Sequence, residues 1–427
     1  MYLFFVRAFN DIDHMTPIVW KMACNKQPVA VYCLNAEYDI KSDYRLNFLK
    51  ESGVPVDILY NHFDQKLGRL HSILRFLVLK SYAIQRWADR KPFPPFAAVF
   101  KVLRRMAHRA GKELYKLIRN KYYDNRWAQN VIQKSGAKAL CFDWIRPRQY
   151  VVDVLLAEAK GLGIPTLSLP HGVWIYTNDF VTIESRPHET YDKLDRYDHV
   201  IVQNQLYKEV MSRTGLKRNK IRVMGSARYC DEWSAQNKKI FPKTIPLRRG
   251  SAGNLNVVFM TTKIRYRIHT ERLLQTIELL ARLDGVNAVV KPHTRTTKEA
   301  RLYENLPIAN LSDSSSVELC QWADVVMVIG SSIIIEPLLQ GKPCLYLKYL
   351  HENRTLYEDF GACWTIHDEK QLRHALQVLK ADKTDVPYAQ SDVDRFLFDI
   401  IYGGQQKTDV LKDYEKFIIH SSSDRSD

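Results

Sequence analysis

The sequence lacks most of the signatures that would assign it to a class at once. Its seven cysteines are an odd number, form no C-x-x-C pair and stand at no metal-like spacing. That excludes a disulfide scaffold and a structural zinc site, and it fits a reducing compartment. No apolar run approaches the ~20 residues of a membrane-spanning helix; SILRFLVLK, among the longest, is broken by Arg75 and Lys80. The start, MYLFFVRAF, has neither the basic flank nor the small-residue cleavage site of a secretory leader. There is no G-x-x-x-x-G-K-[ST], no G-x-G-x-x-G after the first apolar run, no H-E-x-x-H and no G-x-S-x-G. These absences argue against a P-loop NTPase, a dinucleotide-binding oxidoreductase, a zincin and an α/β-hydrolase. No internal repeat marks a solenoid.

What is present is the composition of a globular protein with a sizeable core: 427 residues, 46% apolar, 11% aromatic and 26% charged. The net charge of +16 is unevenly spread, because residues 66–126 carry sixteen Lys/Arg against three acids. A local cationic surface of that kind calls for an anionic partner. Within it, FAAVFKVLRRMAHRAGKELYKLIRNKYY mixes apolar and basic residues at helical spacing, the pattern of a helix that lies on an anionic bilayer.

Short apolar runs alternate with helical patterns along the rest of the chain. YLFFVRA, PVAVYCL, VPVDILY, KALCFDW, IPTLSLP, DHVIVQN and KIRVMG read as strands of a first half, residues 1–230, interrupted by the basic helical insertion at about 61–134. Residues 231–253 are polar and turn-rich and read as a linker. NVVFMTT, NAVVKPH, ADVVMVIG, PCLYL and ACWTI continue the alternation through a second half, 254–405, before a last helix and a frayed tail in 406–427. Strands alternating with helices predict parallel sheets, hence an α/β chain of two Rossmann-like domains facing a cleft.

Two segments of the second half carry chemistry. In VVMVIGSSIIIEPLLQGKPCLYL, an apolar strand runs into Gly330, Ser331 and Ser332 and then a helix. A helix start offers unpaired N–H groups and partial positive charge, glycine lets a ligand approach the backbone, and two hydroxyls add donors: the parts of a phosphate site. They also suit a plain helix cap. Glu336, one turn on, is placed to reach a ribose hydroxyl. In AVVKPHTRT, Lys291 ends a strand and His293 and Arg295 follow in the loop, at the sheet edge where open α/β folds bind ligands. Thr261, Thr262 and Lys263 close the first strand of this half, with Arg265 and Arg267 beyond.

The order strand–KPH, strand–GSS–helix with a glutamate, then GKP and a strand resembles the nucleotide-binding half of GT-B glycosyltransferases. It is most similar to bacterial surface-polysaccharide enzymes: capsule and lipopolysaccharide Kdo transferases, sialyl- and polysialyltransferases, and CDP-glycerol glycerophosphotransferases. The chain reads Pro292-His293-Thr294 where many of these have His-Pro, and keeps the Lys-Pro-His of the glycerophosphotransferases. PHGVW at 170–174 resembles their HG turn, and residues 199–229 resemble the joint that ends their first half.

The resemblance implies an inverting, metal-independent transfer of a sugar or polyol phosphate. The donor would be a CMP-, CDP- or UDP-linked co-substrate, with no other cofactor, and the acceptor a glycan or lipid-linked molecule at the cytoplasmic face of the membrane. It places the donor on Thr261, Thr262, Lys263, Lys291, His293, Arg295, Gly330, Ser331, Ser332 and Glu336, with its phosphate on Ser331 and Ser332. The basic stretch 66–126 would meet the anionic membrane surface, and no nucleic acid is expected. An inverting transfer needs a base for the acceptor hydroxyl. Asp13 and His14, in a segment similar to the GHxxP loop of some inverting GT-B enzymes, are candidates. So are His171 in the PHG turn and Asp143 at the end of KALCFDW, and the sequence does not rank the four. Arg146 and Arg148 are placed to hold an acceptor phosphate or acidic sugar. Two other readings stand beside this one: a UDP-sugar 2-epimerase-like enzyme, and a non-enzymatic binder of anionic lipid or nucleic acid.

Overall fold

The structure, a computed structural model, describes residues 1–64, 68–90, 97–144, 150–178, 191–242, 253–293, 300–303, 306–311 and 314–423. The first half contains strands β1 (Tyr2–Val6), β2 (Val29–Cys33), β3 (Val56–Ile58), β4 (Ala139–Asp143), β5 (Thr166–Leu169), β6 (His199–Val202) and β7 (Ile221–Val223). They form one parallel sheet in the order β3-β2-β1-β4-β5-β6-β7. The second half contains β8 (Leu255–Met260), β9 (Val286–Lys291), β10 (Ala309–Asn310), β11 (Val325–Val328), β12 (Cys344–Leu347) and β13 (Trp364–Ile366). Their parallel order is β10-β9-β8-β11-β12-β13. Strands covered on both faces read as unbroken apolar runs, which is why YLFFV and VAVYC are buried at every position.

Helices α1 (Phe9–Cys24) and α2 (Tyr44–Glu51) cross over between the first strands. The insertion then builds α3 (Leu59–Phe63), α4 (Gly68–Arg90), α5 (Ala97–Tyr122) and α6 (Asn125–Ser135). Helices α4 and α5 lie antiparallel: His71, early in α4, meets Tyr122 and Tyr123 at the far end of α5. Asp64 ties the base of this hairpin to the domain by accepting from the Tyr123 hydroxyl at 2.7 Å and the Trp127 indole at 3.1 Å. Helices α7 (Val152–Gly161) and α8 (Gln205–Arg213) complete the half.

The stretch 231–253, expected as a linker, opens instead with a helix, α9 (Asp231–Ile240). A polar segment is held there by one aromatic anchor, Trp233, packed against Trp20 and Phe48. Helices α10 (Thr270–Arg282), α11 (Ser316–Trp322), α12 (Ile335–Leu339), α13 (Leu356–Asp359) and α14 (Glu369–Ala381) surround the second sheet.

The last two helices, α15 (Gln390–Tyr402) and α16 (Val410–Ser423), return to the first half. The Ser226 N–H donates to Ile401 O at 3.0 Å and the Tyr414 hydroxyl to Gly225 O at 3.0 Å. Gly225 has φ +73°, and a Cβ there would lie 2.0 Å from Ile401 O, so this joint needs glycine. The expectation of a frayed HSSSDRSD tail is corrected at its start. The helix runs to Ser423, with Ser421 and Ser422 hydroxyls donating back to Phe417 and Ile419 carbonyls. Residues 424–427 lie outside the described residues.

In each sheet the strand order reverses beside the first strand, between β1 and β4 and between β8 and β11. Crevices at the carboxyl ends of strands at such points are where open α/β sheets bind ligands. Here both crevices open into one cleft between the halves.

Candidate active site

On the first side of the cleft, the β1/β4 crevice holds a buried charge network. Arg7, just past β1, donates from Nε to Asp11 Oδ2 at 3.0 Å and from its terminal nitrogen to Asp143 at the end of β4. His171, past β5, brings Nδ1 to 2.7 Å from Asp143 Oδ2 and 3.2 Å from Asp11 Oδ1. Both carboxylates are shut off from water, while the His171 side chain is 37% exposed to the cleft. Buried charges persist only when paired, and two carboxylates are here matched by two cations.

Burial works against the His171 imidazolium, but the Asp143 and Asp11 carboxylates outweigh it and raise its pKa to about 9. Against burial, hydrogen bonding to His171 and the Arg7 charge hold Asp11 below the usual carboxylate range. Burial and the neighbouring Asp11 charge push Asp143 up. His171 is therefore a cation at neutral pH, with Nδ1 as donor and Nε2 left for the cleft. Asp11, Asp143 and His171 offer three atoms within 4.8 Å of one another, a spacing that suits a metal. The Arg7 guanidinium and the His171 imidazolium already match this pair of carboxylates, and Nδ1 is engaged as a donor, so the donor set does not fit a metal.

His14, in the second turn of α1, is a second imidazole of the cleft. Its Nε2 and the Asn10 amide face the backbone of Gly172, the residue after His171. Burial and the Arg228 charge lower its pKa to about 3, so it is uncharged at neutral pH. Asp13, beside it, is committed elsewhere: it pairs with Arg45 and with Arg228 Nη1, the latter at 3.0 Å.

On the second side, β11 delivers the Gly330-Ser331-Ser332 turn. Gly330 has φ +46°, and a Cβ there would sit 3.0 Å from His351 and 3.1 Å from Tyr176. Ser331 Oγ accepts the Ile333 N–H at 3.4 Å, capping a 3₁₀ turn (Ser332–Ile334) that leads into α12. Thr262 and Lys263, past β8, lie across the switch point, and Arg265 follows. Strand β11 therefore leads through a glycine-serine turn and a 3₁₀ turn into a five-residue helix.

A strap from the first half crosses to the second. The Gln203 amide donates to Gly172 O at 2.7 Å, and Trp174 stacks on Tyr207, fixing the strap's start. Farther on, the Leu356 N–H donates to Ile175 O at 2.6 Å and the Thr177 N–H to Arg354 O at 3.2 Å. Tyr176 donates its hydroxyl to the Gly330 carbonyl and stacks on Tyr266 at 5.6 Å.

The cavity between the halves measures about 450 Å³, the size of a small-molecule site. Of the expected residues, His14, His171, Thr262, Lys263, His293, Gly330, Ser331 and Ser332 line it together. Asp13 and Asp143 stand behind the lining in ion pairs. Thr261 is buried, accepting the Tyr303 hydroxyl at 3.1 Å, and Lys291 is buried at the end of β9. Glu336 accepts the Gln340 amide at 2.8 Å on α12 and does not line the cavity. Arg267 pairs with Glu352 at 3.0 Å. Arg146, Arg148 and Arg295 lie outside the described residues. The sequence reading missed Arg7, Lys193, Arg228 and the aromatics Tyr176 and Tyr266. Among them only the strap had a signal, as a continuation of the PHG turn. Among the described residues the lining carries four Lys/Arg and three histidines and no carboxylate.

No family model and no curated protein matches the sequence. Solved structures match its fold. The UDP-GlcNAc 2-epimerase of Methanocaldococcus jannaschii superposes with a TM-score of 0.53 at 14% identity, covering 93% of this chain and 98% of the epimerase. Anabaena HepE in complex with UDP-glucose gives 0.53 at 12% identity, over 99% of each chain. The glycotransferase of kitacinnamycin gives 0.50 at 11% identity, over 99% of this chain and 97% of that one. Identities this low establish the architecture, the GT-B fold, along the length of the chain.

Proposed function

We propose that the protein is a glycosyltransferase that uses a nucleotide-activated donor, inverts configuration and needs no metal. It moves a sugar, or a polyol phosphate, to a glycan or lipid-linked acceptor in bacterial surface-polysaccharide assembly at the cytoplasmic face of the membrane. The observation that carries this is the cleft lining: basic and hydroxyl side chains from both halves, a glycine-serine turn, and no carboxylate among the described residues. Such a lining favours a ligand with several negative charges.

In this reading the donor's phosphates lie on Gly330, Ser331 and Ser332, with Thr262, Lys263, Arg265 and His293 beside them. The acceptor hydroxyl oxygen attacks the anomeric carbon as its bond to the phosphate oxygen breaks. The leaving phosphate keeps the bonding electrons, and the cations and the His171 imidazolium stabilise its charge. The acceptor proton goes to His14. Of the four candidate bases, only His14 lines the cleft and is uncharged. A bound anionic phosphate offsets the Arg228 charge and raises the basicity of His14 as the donor arrives.

One observation favours a second reading, a 2-epimerase. Two imidazoles of opposite protonation state line the same cleft, the division an acid–base pair acting on a single bound sugar requires.

The deciding experiment is thermal stabilisation by CMP, CDP, UMP, UDP, GDP and TDP in the presence of a chelator. A nucleotide at about 100 times its Kd adds about 2.7 kcal/mol. A response to one base names the donor class, and silence from all six removes the reading. The matching nucleotide-sugar is then incubated without acceptor and followed by NMR. A C2 epimer establishes the epimerase; unchanged donor that is consumed only on adding an acceptor establishes the transferase.

A further inference from the structure

The hairpin of α4 and α5 takes no part in the cleft. Its inner faces are ordinary: His71, Val78, Ser81 and Ile118 are buried, and Leu74, Leu114 and Tyr115 pack onto the first half's core. Its outer faces are not. Among the described residues, eleven large apolar side chains are strongly exposed, and eight of them belong to this hairpin. On α4, Leu70, Ile73, Leu77 and Ile84 fall on one stripe at helical spacing, with Phe76 at its edge, 56% exposed. On α5, Val102, Met106 and Leu117 are exposed, Met106 at 63%. Scattered exposed apolar residues need no explanation, but eight on one element do.

Cations accompany them; among the described side chains Lys80, Arg105, Arg109, Lys112, Lys116 and Lys121 are exposed. Residues 68–122 contain fourteen Lys/Arg and two acids. Lys80 lies over the Phe76 ring at 5.2 Å, so a cation sits at the edge of the apolar stripe. No helix of the described residues is long and apolar enough to cross a membrane.

We propose that this hairpin docks the protein on an anionic lipid bilayer, with Ile73, Phe76, Leu77 and Met106 entering the acyl boundary and the lysines and arginines engaging acidic headgroups. The charge pattern selects the occupant. A second copy would bring the same cations face to face. A nucleic acid would satisfy the cations and leave the aliphatic stripe in water. An anionic membrane surface satisfies both. The hairpin follows β3, the edge strand of the first sheet, and α3, so docking sets the first half against the membrane. The inference stands on the hairpin alone and does not depend on the nucleotide-sugar reading.

The test is co-sedimentation of the full chain with vesicles of phosphatidylglycerol and phosphatidylcholine at 3:7, against pure phosphatidylcholine, at physiological salt. The expected result is binding to the anionic vesicles at least tenfold above the neutral ones. Phe76→Ser with Met106→Ser should weaken it at least tenfold while leaving the thermal midpoint unchanged, since both side chains are already in water. Lys112→Glu with Lys116→Glu should abolish it. Equal binding to both vesicle types overturns the proposal. So does an unchanged Phe76→Ser/Met106→Ser variant, which would reduce the contact to headgroup attraction. Displacement from the vesicles by duplex or single-stranded nucleic acid at matched charge also overturns it. Nucleotide-induced stabilisation, measured without vesicles, reports separately on the cleft.

Discussion

The two sides of the cleft are built by opposite means. The second half is built on backbone: a left-handed glycine, a capped turn and hydroxyls at the ends of β8 and β11, with Lys263, Arg265 and His293 beside them. The first half presents titratable groups, each fixed by another: Arg7 by Asp11 and Asp143, His171 by the same two carboxylates, Asp13 by Arg45 and Arg228. A backbone site holds an anion with little dependence on pH and survives the loss of one hydroxyl. A charge network sets protonation states, and the loss of one member leaves its partners buried and unmatched. Under the proposed function, binding falls to the second half and proton chemistry to the first, and the two sides break differently.

The largest expected effect lies on the network side. Arg7→Met leaves Asp11 and Asp143 facing each other without their guanidinium, and breaking a buried pair costs about 3–5 kcal/mol. Against a total of about 5–15 kcal/mol that is a major loss. Urea denaturation should show it as a lower midpoint. Ser332→Ala on the backbone side should move stability by under ~0.5 kcal/mol, while weakening nucleotide binding by roughly tenfold, as loss of a hydrogen bond to a charged group does. Comparable destabilisation in the two variants would erase the contrast.

Next comes His14→Gln, which keeps a polar side chain in the cleft and removes the proton acceptor. Turnover should fall by about 10²–10⁴-fold with the nucleotide Kd unchanged. A loss confined to Kd would move His14 from chemistry to binding.

A smaller effect follows pH. The folded-state pKa of His171, about 9, lies above the ordinary imidazole value. The stability it contributes is therefore complete below about pH 6.5 and is lost as pH rises through about 9. Thermal midpoints taken from pH 6 to 10 should decline across that window, and His171→Gln should flatten the decline. An unchanged slope in the variant would mean that the network does not hold the imidazolium.

What the sequence discloses follows the same division. Buried parallel strands are continuous apolar runs, so twelve of the thirteen strands among the described residues could be read. The exception, β10, is two exposed residues, Ala309 and Asn310, with no pattern to detect. Helix α9 hid because its polar surface carries one anchor, Trp233. The backbone side was legible since a glycine and two serines between a strand and a helix are contiguous in the chain. The network was legible only as loose parts. Asp143 and His171 stand out because each follows a strand, yet Arg7 meets Asp143 across 136 positions, and nothing local announces that. Asp13 looked like a base for the same reason, since Arg45 and Arg228 are visible as its partners only once the chain is folded.

The smallest prediction concerns a hydroxyl that joins the two sides. Tyr176 rides on the strap from the first half and donates to the carbonyl of Gly330 in the second half's turn. Tyr176→Phe keeps the stacking on Tyr266 and deletes that bond, which is worth about 1 kcal/mol. The expected outcome is a loss of that size in urea denaturation, with a nucleotide Kd within about twofold of the parent, because the turn's conformation is set by the glycine and the serine cap rather than by the tyrosine. A fall in affinity as large as that of Ser332→Ala, with stability intact, would place Tyr176 in the binding surface. The cleft would then be a single site shared by both halves, rather than a binding wall opposite a chemical one.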